Sequence, residues 1–262
     1  MDRRRSLPRA IRSTSTIGTS AASTRRASTC YLRIRQSLLP TALTGREKDL
    51  IVRSGHNIDP AAIEANVCTV DAAGALVNAS LRQTIAPLLD EDRIVGVIGG
   101  DHSIPFAAIA AAAEQQPLGI LHIDAHADLR IAYEGFEWSH ASIMHNVLEQ
   151  CPGVQRLVQV GVRDYSEGEL QTIHRHDGRV VTHFDADWNA RRFSGVPFDY
   201  LVAEVIGVLP DHVWISFDID GLDPSLCPNT GTPVPGGFSF AEVAHLLARL
   251  AASGRRIVGF DL

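Results

Sequence analysis

From about residue 90 onward, short runs rich in β-branched and other apolar residues alternate with longer stretches whose apolar positions recur at helical spacing. Strands are predicted over 93–98, 118–123, 157–162, 179–184, 213–219 and 256–260. Helices are predicted over 104–115, 140–149, 167–174, 199–209 and 240–252. Such alternation implies βαβ units, hence an α/β fold with a mostly parallel sheet. The last helix has a clear start, because Ser239-Phe240-Ala241-Glu242 matches a capping box in which Ser and Glu satisfy the free donors of the first turn. Residues 231–237, Gly-Thr-Pro-Val-Pro-Gly-Gly, read as an ordered loop.

Three of the predicted strands run into polar clusters: Gly99-Gly100-Asp101-His102-Ser103, Asp124-Ala125-His126-Ala127-Asp128, and Ser216-Phe217-Asp218-Ile219-Asp220-Gly221-Leu222-Asp223-Pro224. In open parallel sheets ligands bind at the carboxyl ends of strands, so clusters distant in sequence converge there. In the second and third clusters Asp and His recur at every other position, which on extended backbone puts them on one face. His102, Asp124, His126, Asp128, Asp218 and Asp220 are the candidate metal ligands, four carboxylates and two imidazoles. Carboxylate and imidazole without thiolate suit hard or borderline dications, manganese first, then nickel, cobalt or iron. Two such ions side by side acidify water enough to make a nucleophile near neutral pH, which points to metal-assisted hydrolysis. Each cluster alone also has a structural reading; Gly99 to Ser103, for example, is a turn with a helix cap at Asp101 or Ser103. Asp101 and Asp223, beside the ligands, are expected to orient them.

Composition narrows the setting. A chain of 262 residues with 45% hydrophobic residues is sized for one domain with a buried core. Its four cysteines show no C-x-x-C spacing, which disfavours a disulfide framework. No apolar run reaches the length of a membrane span. The net charge of −6 divides into about +9 over residues 1–46 and −15 over the rest. An acidic body suits cations and a cationic substrate rather than nucleic acid. Residues 1–44, rich in Arg, Ser, Thr and Ala, read as disordered or as a transit-like segment. Residues 45–262 then form the single domain. A cytoplasmic location is expected, or a mitochondrial one if the leading segment is a transit peptide.

Taken in order, with Asp-Pro and Thr-Gly-Thr-Pro after the third, the three clusters resemble those of the ureohydrolase family of arginases, agmatinases and formiminoglutamases, over about residues 90–262. The resemblance implies the three-layer α/β/α arginase-like fold. It assigns His102, Asp124, Asp128 and Asp218 to one manganese and Asp124, His126, Asp218 and Asp220 to a second, with Asp124 and Asp218 bridging. It implies hydrolysis of a guanidino carbon–nitrogen bond to urea and an amine, and a homo-oligomeric assembly. His140, in Trp138-Ser139-His140-Ala141-Ser142, matches the family's mobile histidine, a catalytic group that passes a proton to the leaving amine; it also reads as an exposed residue at a helix start, with Ser139 as cap. Arg130 is either a substrate-carboxylate partner, as in the formiminoglutamate-hydrolysing branch, or a surface ion-pair residue. The other histidines, His122 among them, are read as structural or solvated.

Within the family, Tyr133-Glu134-Gly135-Phe136 followed by Ser139-His140-Ala141-Ser142 is similar to the agmatinase-like group, which includes plant-type arginases. Ser166 stands where animal-type arginases place an aspartate that binds the α-amino group. Agmatine is thus expected first, then arginine. Formiminoglutamate hydrolases tend to lack the histidine seen as His140. Two departures oppose a complete match: relatives continue past Leu262 into a segment with a guanidinium-binding glutamate, and no glycine-rich amino-terminal segment is recognisable in residues 1–60. Both imply a shortened chain. A non-catalytic metal-binding relative is therefore a competing reading, and a single-zinc deacetylase of related fold is disfavoured by the extra ligands His102, Asp128 and Asp220.

Overall fold

The protein is described by a computed structural model over residues 60–91 and 93–262. The reading of residues 1–44 as disordered or transit-like lies outside these residues. Six parallel strands, β1 (Val95–Val97), β2 (Leu118–Ile123), β3 (Val154–Val162), β4 (Val180–Phe184), β5 (His212–Phe217) and β6 (Arg256–Asp261), form one sheet in the order β1-β6-β5-β2-β3-β4. The chain leaves β2 toward β3 and β4, then crosses back so that β5 pairs with β2 on the other side. The direction of winding therefore reverses between β2 and β5, where the carboxyl ends of an open sheet leave a crevice.

Helices cover both faces. Against one lie α1 (Pro60–Asp90), α2 (Phe106–Gln115) and α3 (Ile143–Gln150), with Leu81, Ile85 and Leu89 of α1 meeting Ile109 of α2 and Ile120 and Trp214 of the sheet in one apolar core. Ile173 of α4 (Glu167–Arg175) joins that core. The second core holds Leu121, Ile123, Val158 and Val160 of the sheet, Trp188 of α5 (Asp185–Phe193), Leu201 and Val205 of α6 (Phe198–Val208), and Leu246 and Leu250 of α7 (Phe240–Ala252). Strand residues thus alternate between two buried cores, and their sequences read as continuous apolar runs.

Where the expected elements differ from those observed, the cause is local. α7 matches its prediction to the residue, and its capping box is formed by Ser239 and Glu242. α1 was not expected: its apolar residues spread around the helix, and the core-facing Leu81, Ile85 and Leu89 occupy only its carboxyl half. α5 escaped because Trp188 is its sole buried residue, although Asp185 and Asp187 in the first turn and Arg191 and Arg192 in the last complement the helix dipole. The helix predicted over 140–149 opens as a 3₁₀ turn, His140–Ser142, before becoming α3. β5 stops at Phe217, two residues short, because the Asp218 side chain accepts from the Asp220 amide and starts a 3₁₀ turn, Ile219–Gly221.

A row of polar residues interrupts the apolar face toward α1–α3. Strand register aligns Asp261 with Ser216, Ser216 with His122, His122 with Gln159 and Gln159 with Thr182. His122, Gln159, Ser216 and Asp261 are buried. A buried polar group must find partners within the protein, and this row lies at the carboxyl end of the sheet, just before Asp124 and Asp218.

Candidate metal centre

The segments that leave β1, β2 and β5 bring the polar clusters together. His102 is buried on the turn between β1 and α2, with Nδ1 3.0 Å from Asp124 Oδ2, 3.0 Å from Asp128 Oδ2 and 3.5 Å from Asp218 Oδ2. His126 directs Nδ1 at Asp124 Oδ1 and Asp220 Oδ2, each at 3.3 Å. Two donor groups result, His102, His122, Asp124 and Asp128 in one and Asp124, His126 and Asp220 in the other, with the ligand atoms of each within 4.8 Å of one another. Asp124 belongs to both.

Backbone placement holds these atoms. The Ala125 amide donates to Asp220 Oδ1 at 3.2 Å, and the His126 amide donates to Asp124 Oδ1 at 2.7 Å. Gly221 lies so close that a Cβ there would stand 2.9 Å from the Asp124 nitrogen; only a bare backbone lets the β5 loop rest on the end of β2. Asp128 adopts the left-handed region, φ 54°, and its carbonyl accepts from the amides of Met144 and His145 at the start of α3. A non-glycine residue pays for that conformation and keeps it only where its surroundings enforce it, a pattern that concentrates at functional sites. These residues therefore do not alternate along extended strands as the sequence suggested. β2 and β5 end at Ile123 and Phe217, and tight turns aim the side chains inward.

Other candidates lie elsewhere. Asp218 accepts from Asp220 through Oδ1 and stands beside His102, outside the two tight groups. Asp101 accepts from the amide and hydroxyl of Ser103, and Asp223 from the Ser225 amide at 2.8 Å, so both shape local turns rather than orient ligands; α2 begins after Pro105 without a side-chain cap. His140, half-buried at the start of its 3₁₀ turn, sets its ring against Tyr133 with centroids 5.4 Å apart. Ser139 bonds to the Ser142 hydroxyl and does not cap the turn. Arg130 places Nε 3.6 Å from Glu169 Oε2 and its guanidinium 5.3 Å from the Tyr133 ring centroid, an arrangement that favours the ion-pair reading.

Four supports were not singled out from sequence. His122 joins the first donor group, and Ser216 with Asp261 backs His102: Nε2 is 2.8 Å from Ser216 Oγ, which donates to Asp261 Oδ1 at 2.9 Å, while Trp214 Nε1 donates to Asp261 Oδ2 at 2.6 Å. Gly259 permits that contact, since a Cβ there would lie 2.1 Å from the Trp214 ring. Arg163 donates to the carbonyls of Asp220, Leu222 and Val234, tying the β5 loop to the 231–237 loop. Glu169 accepts from Leu129 beside Asp128 and closes a capping box with Ser166 on α4. Polar residues within apolar runs, such as His122, Gln159 and Ser216, were the available signal.

Electrostatics make the cluster a receptor for cations. Burial, then the neighbouring Asp124 charge, pushes the Asp128 carboxyl up to about 7, and the same two causes push Asp218 to about 6. Burial opposes charge on His126, but bonds to Asp124 and Asp220 outweigh it and raise the ring to about 11. Burial also opposes the charge of Asp124, and the imidazoles of His122, His102 and His126 outweigh it, holding that carboxyl well below the usual range. Closely set carboxylates and imidazoles without thiolate fit a hard or borderline dication, which relieves the repulsion among the acids. Raised carboxyls penalise the folded state as they ionise between about 4 and 7, and the raised His126 contributes stability that is complete below 6.5 and lost as pH climbs toward 11. The metal-free protein is thus expected to lose thermal stability from pH 6 to 9, whereas a metal that needs those protons removed should flatten or reverse the slope. Melting temperatures across that range, in chelator and in manganese, check this; parallel slopes would contradict it.

Comparison with known proteins converges on one family. The family model described as the Arginase family matches residues 8–262. The chain is 37% identical over 182 residues to proclavaminate amidinohydrolase of Streptomyces clavuligerus, covering 68% of this chain and 56% of that protein. It is 39% identical over 168 residues to N(1)-aminopropylagmatine ureohydrolase of Thermus thermophilus, covering 63% and 52%. The crystal structure of arginase from Bacillus cereus superposes with a TM-score of 0.63 at 28% identity, covering 72% of this chain and 69% of that one. The chain spans about half the length of the curated relatives it matches.

Proposed function

The chain belongs to the arginase family, and on that premise we propose that it is a binuclear manganese hydrolase of guanidino carbon–nitrogen bonds, releasing urea and an amine. The observation that carries this reading is a single carboxylate, Asp124, shared by two donor groups of the hard or borderline type. His102, Asp124, Asp128 and Asp218 would hold one ion, and Asp124, His126, Asp218 and Asp220 the other. Bound there, two manganese ions supply Lewis acidity and an acidified water at neutral pH.

The chain's own residues do the rest. Turns at the ends of β2 and β5 hold the carboxylates in place before substrate arrives, so little reorganisation is needed at reaction. Attack of water oxygen on the guanidinium carbon and cleavage of its bond to the substituted nitrogen leave an amine that needs a proton, and His140 is the group we assign to deliver it.

The preferred substrate is an agmatine-like amine, with arginine second. The body of the chain is acidic, and Asp164, with a 65% exposed side chain, lies 3.9 Å from His126 at the rim, where it favours a cationic tail over a carboxylate. Arg130, engaged by Glu169 and Tyr133, is poorly placed to receive a substrate carboxylate. Urea release by the manganese-loaded protein from agmatine, N(1)-aminopropylagmatine and arginine tests the reading. A higher kcat/KM for the amines is expected. Absence of urea from every guanidino compound, with two metals bound, would reject hydrolysis.

A further inference from the structure

His122 sits in a donor group, yet its hydrogen bonds give it a different task. Register pairs it with Gln159 on β3 and Gln159 with Thr182 on β4. The Gln159 amide nitrogen lies 2.7 Å from the Ala127 carbonyl oxygen and 2.9 Å from His122 Nδ1, and Thr182 Oγ1 donates to the amide oxygen at 2.8 Å. A carbonyl only accepts, so the nitrogen end of the amide must face Ala127. Its second hydrogen then meets His122 Nδ1, which must accept. A ring nitrogen that accepts carries no proton, so the imidazole proton resides on Nε2, 2.9 Å from Asp124 Oδ2.

We propose that His122 is a positioning residue for Asp124 rather than a metal ligand, fixed by Thr182 and Gln159 in the Nε2–H tautomer so that it donates to Oδ2. Neither nitrogen keeps a lone pair for a cation: Nδ1 spends its own on Gln159, and Nε2 bears the proton. Asp124 benefits on both oxygens. The His126 amide holds Oδ1 at 2.7 Å and His122 holds Oδ2, which stops the carboxylate from rotating and leaves further lone pairs on each oxygen directed toward the two donor groups. The inference rests on the proposed role of Asp124 as a shared ligand, but the tautomer itself needs neither metal nor turnover.

That independence sets the experiment. Long-range ¹H–¹⁵N correlation of the metal-free protein, labelled at histidine, reads the tautomer; the His122 signal is assigned by its loss in His122→Gln. An Nε2–H pattern is expected, and an Nδ1–H or doubly protonated ring overturns the proposal. Gln159→Met, which keeps volume but removes the donor, should release the tautomer preference and weaken manganese affinity about 10- to 100-fold, with the same number of ions bound at saturation as in the parent protein. His122→Gln, whose amide nitrogen can still reach Asp124, should keep most of the affinity. Unchanged affinity in Gln159→Met, or loss of one ion in His122→Gln, would overturn the proposal. A protein that shows the Nε2–H tautomer and hydrolyses no guanidino compound would defeat the proposed reaction while leaving the tautomer assignment intact.

Discussion

Asp124→Asn should strip both donor groups of metal in a single step and abolish turnover with it. The reason is local and geometric. Among the described residues Asp124 is the carboxylate placed in both tight donor groups, whereas Asp218 stands beside them, and the Asp124 oxygens face two fixed donors, the His126 amide at Oδ1 and a ring nitrogen of His122 at Oδ2. Asparagine has one accepting oxygen, so whichever way the amide turns, its NH₂ confronts one of those donors. A buried donor left unsatisfied costs about 1–3 kcal/mol, and the site also loses a negative charge that balances the dications. The fall in affinity should therefore exceed the roughly 10- to 100-fold typical of losing only a supporting hydrogen bond. Metal content by mass spectrometry after gel filtration gives the readout. Asp128→Asn and Asp220→Asn, each touching one group, serve as comparators and should deplete one ion preferentially. Retention of two ions by Asp124→Asn would remove it as the shared ligand.

The second large effect is expected at His140, and it should leave the metals alone. His140 belongs to neither donor group, opens the 3₁₀ turn ahead of α3, and sets its ring edge-on to Tyr133. His140→Ala should preserve metal stoichiometry and slow turnover by about 10²- to 10⁴-fold, the usual worth of a positioned proton-transfer group. A group that delivers a proton to the leaving amine should also lose its limb of the pH–rate profile, which a packing defect would not do. Unchanged turnover would take His140 out of the reaction.

Both variants rest on residues named from sequence, so the residue types of the candidate site were legible there. His102, Asp124, His126, Asp128, Asp218 and Asp220 stand at or just beyond strand ends, and a run of apolar residues ending in Asp or His is a local pattern. Their arrangement was less legible. The sequence suggested alternation along extended backbone, whereas Asp128 takes a left-handed conformation and Asp218 starts a 3₁₀ turn. Arg130 was left with two readings that only its distance to Glu169 could weigh.

By itself, then, the sequence determined the alternation of strands and helices, the parallel sheet that follows, the capped start of α7 and the residue types available for metal chemistry. All of these depend on neighbours within a few positions, where propensity, periodicity and capping act. α1 and α5 escaped because their core contacts are sparse or spread around the helix. Only the tertiary structure decided that Asp261, Ser216, His122, Gln159 and Thr182 stand in one row beneath the donor groups. That row depends on the register of five strands drawn from across the chain, and register is set by packing the whole sheet between two layers of helices. His122 read as structural or solvated in sequence because its partner Gln159 reaches it only through strand pairing, and Gln159 is itself oriented by the Ala127 carbonyl on the turn after β2.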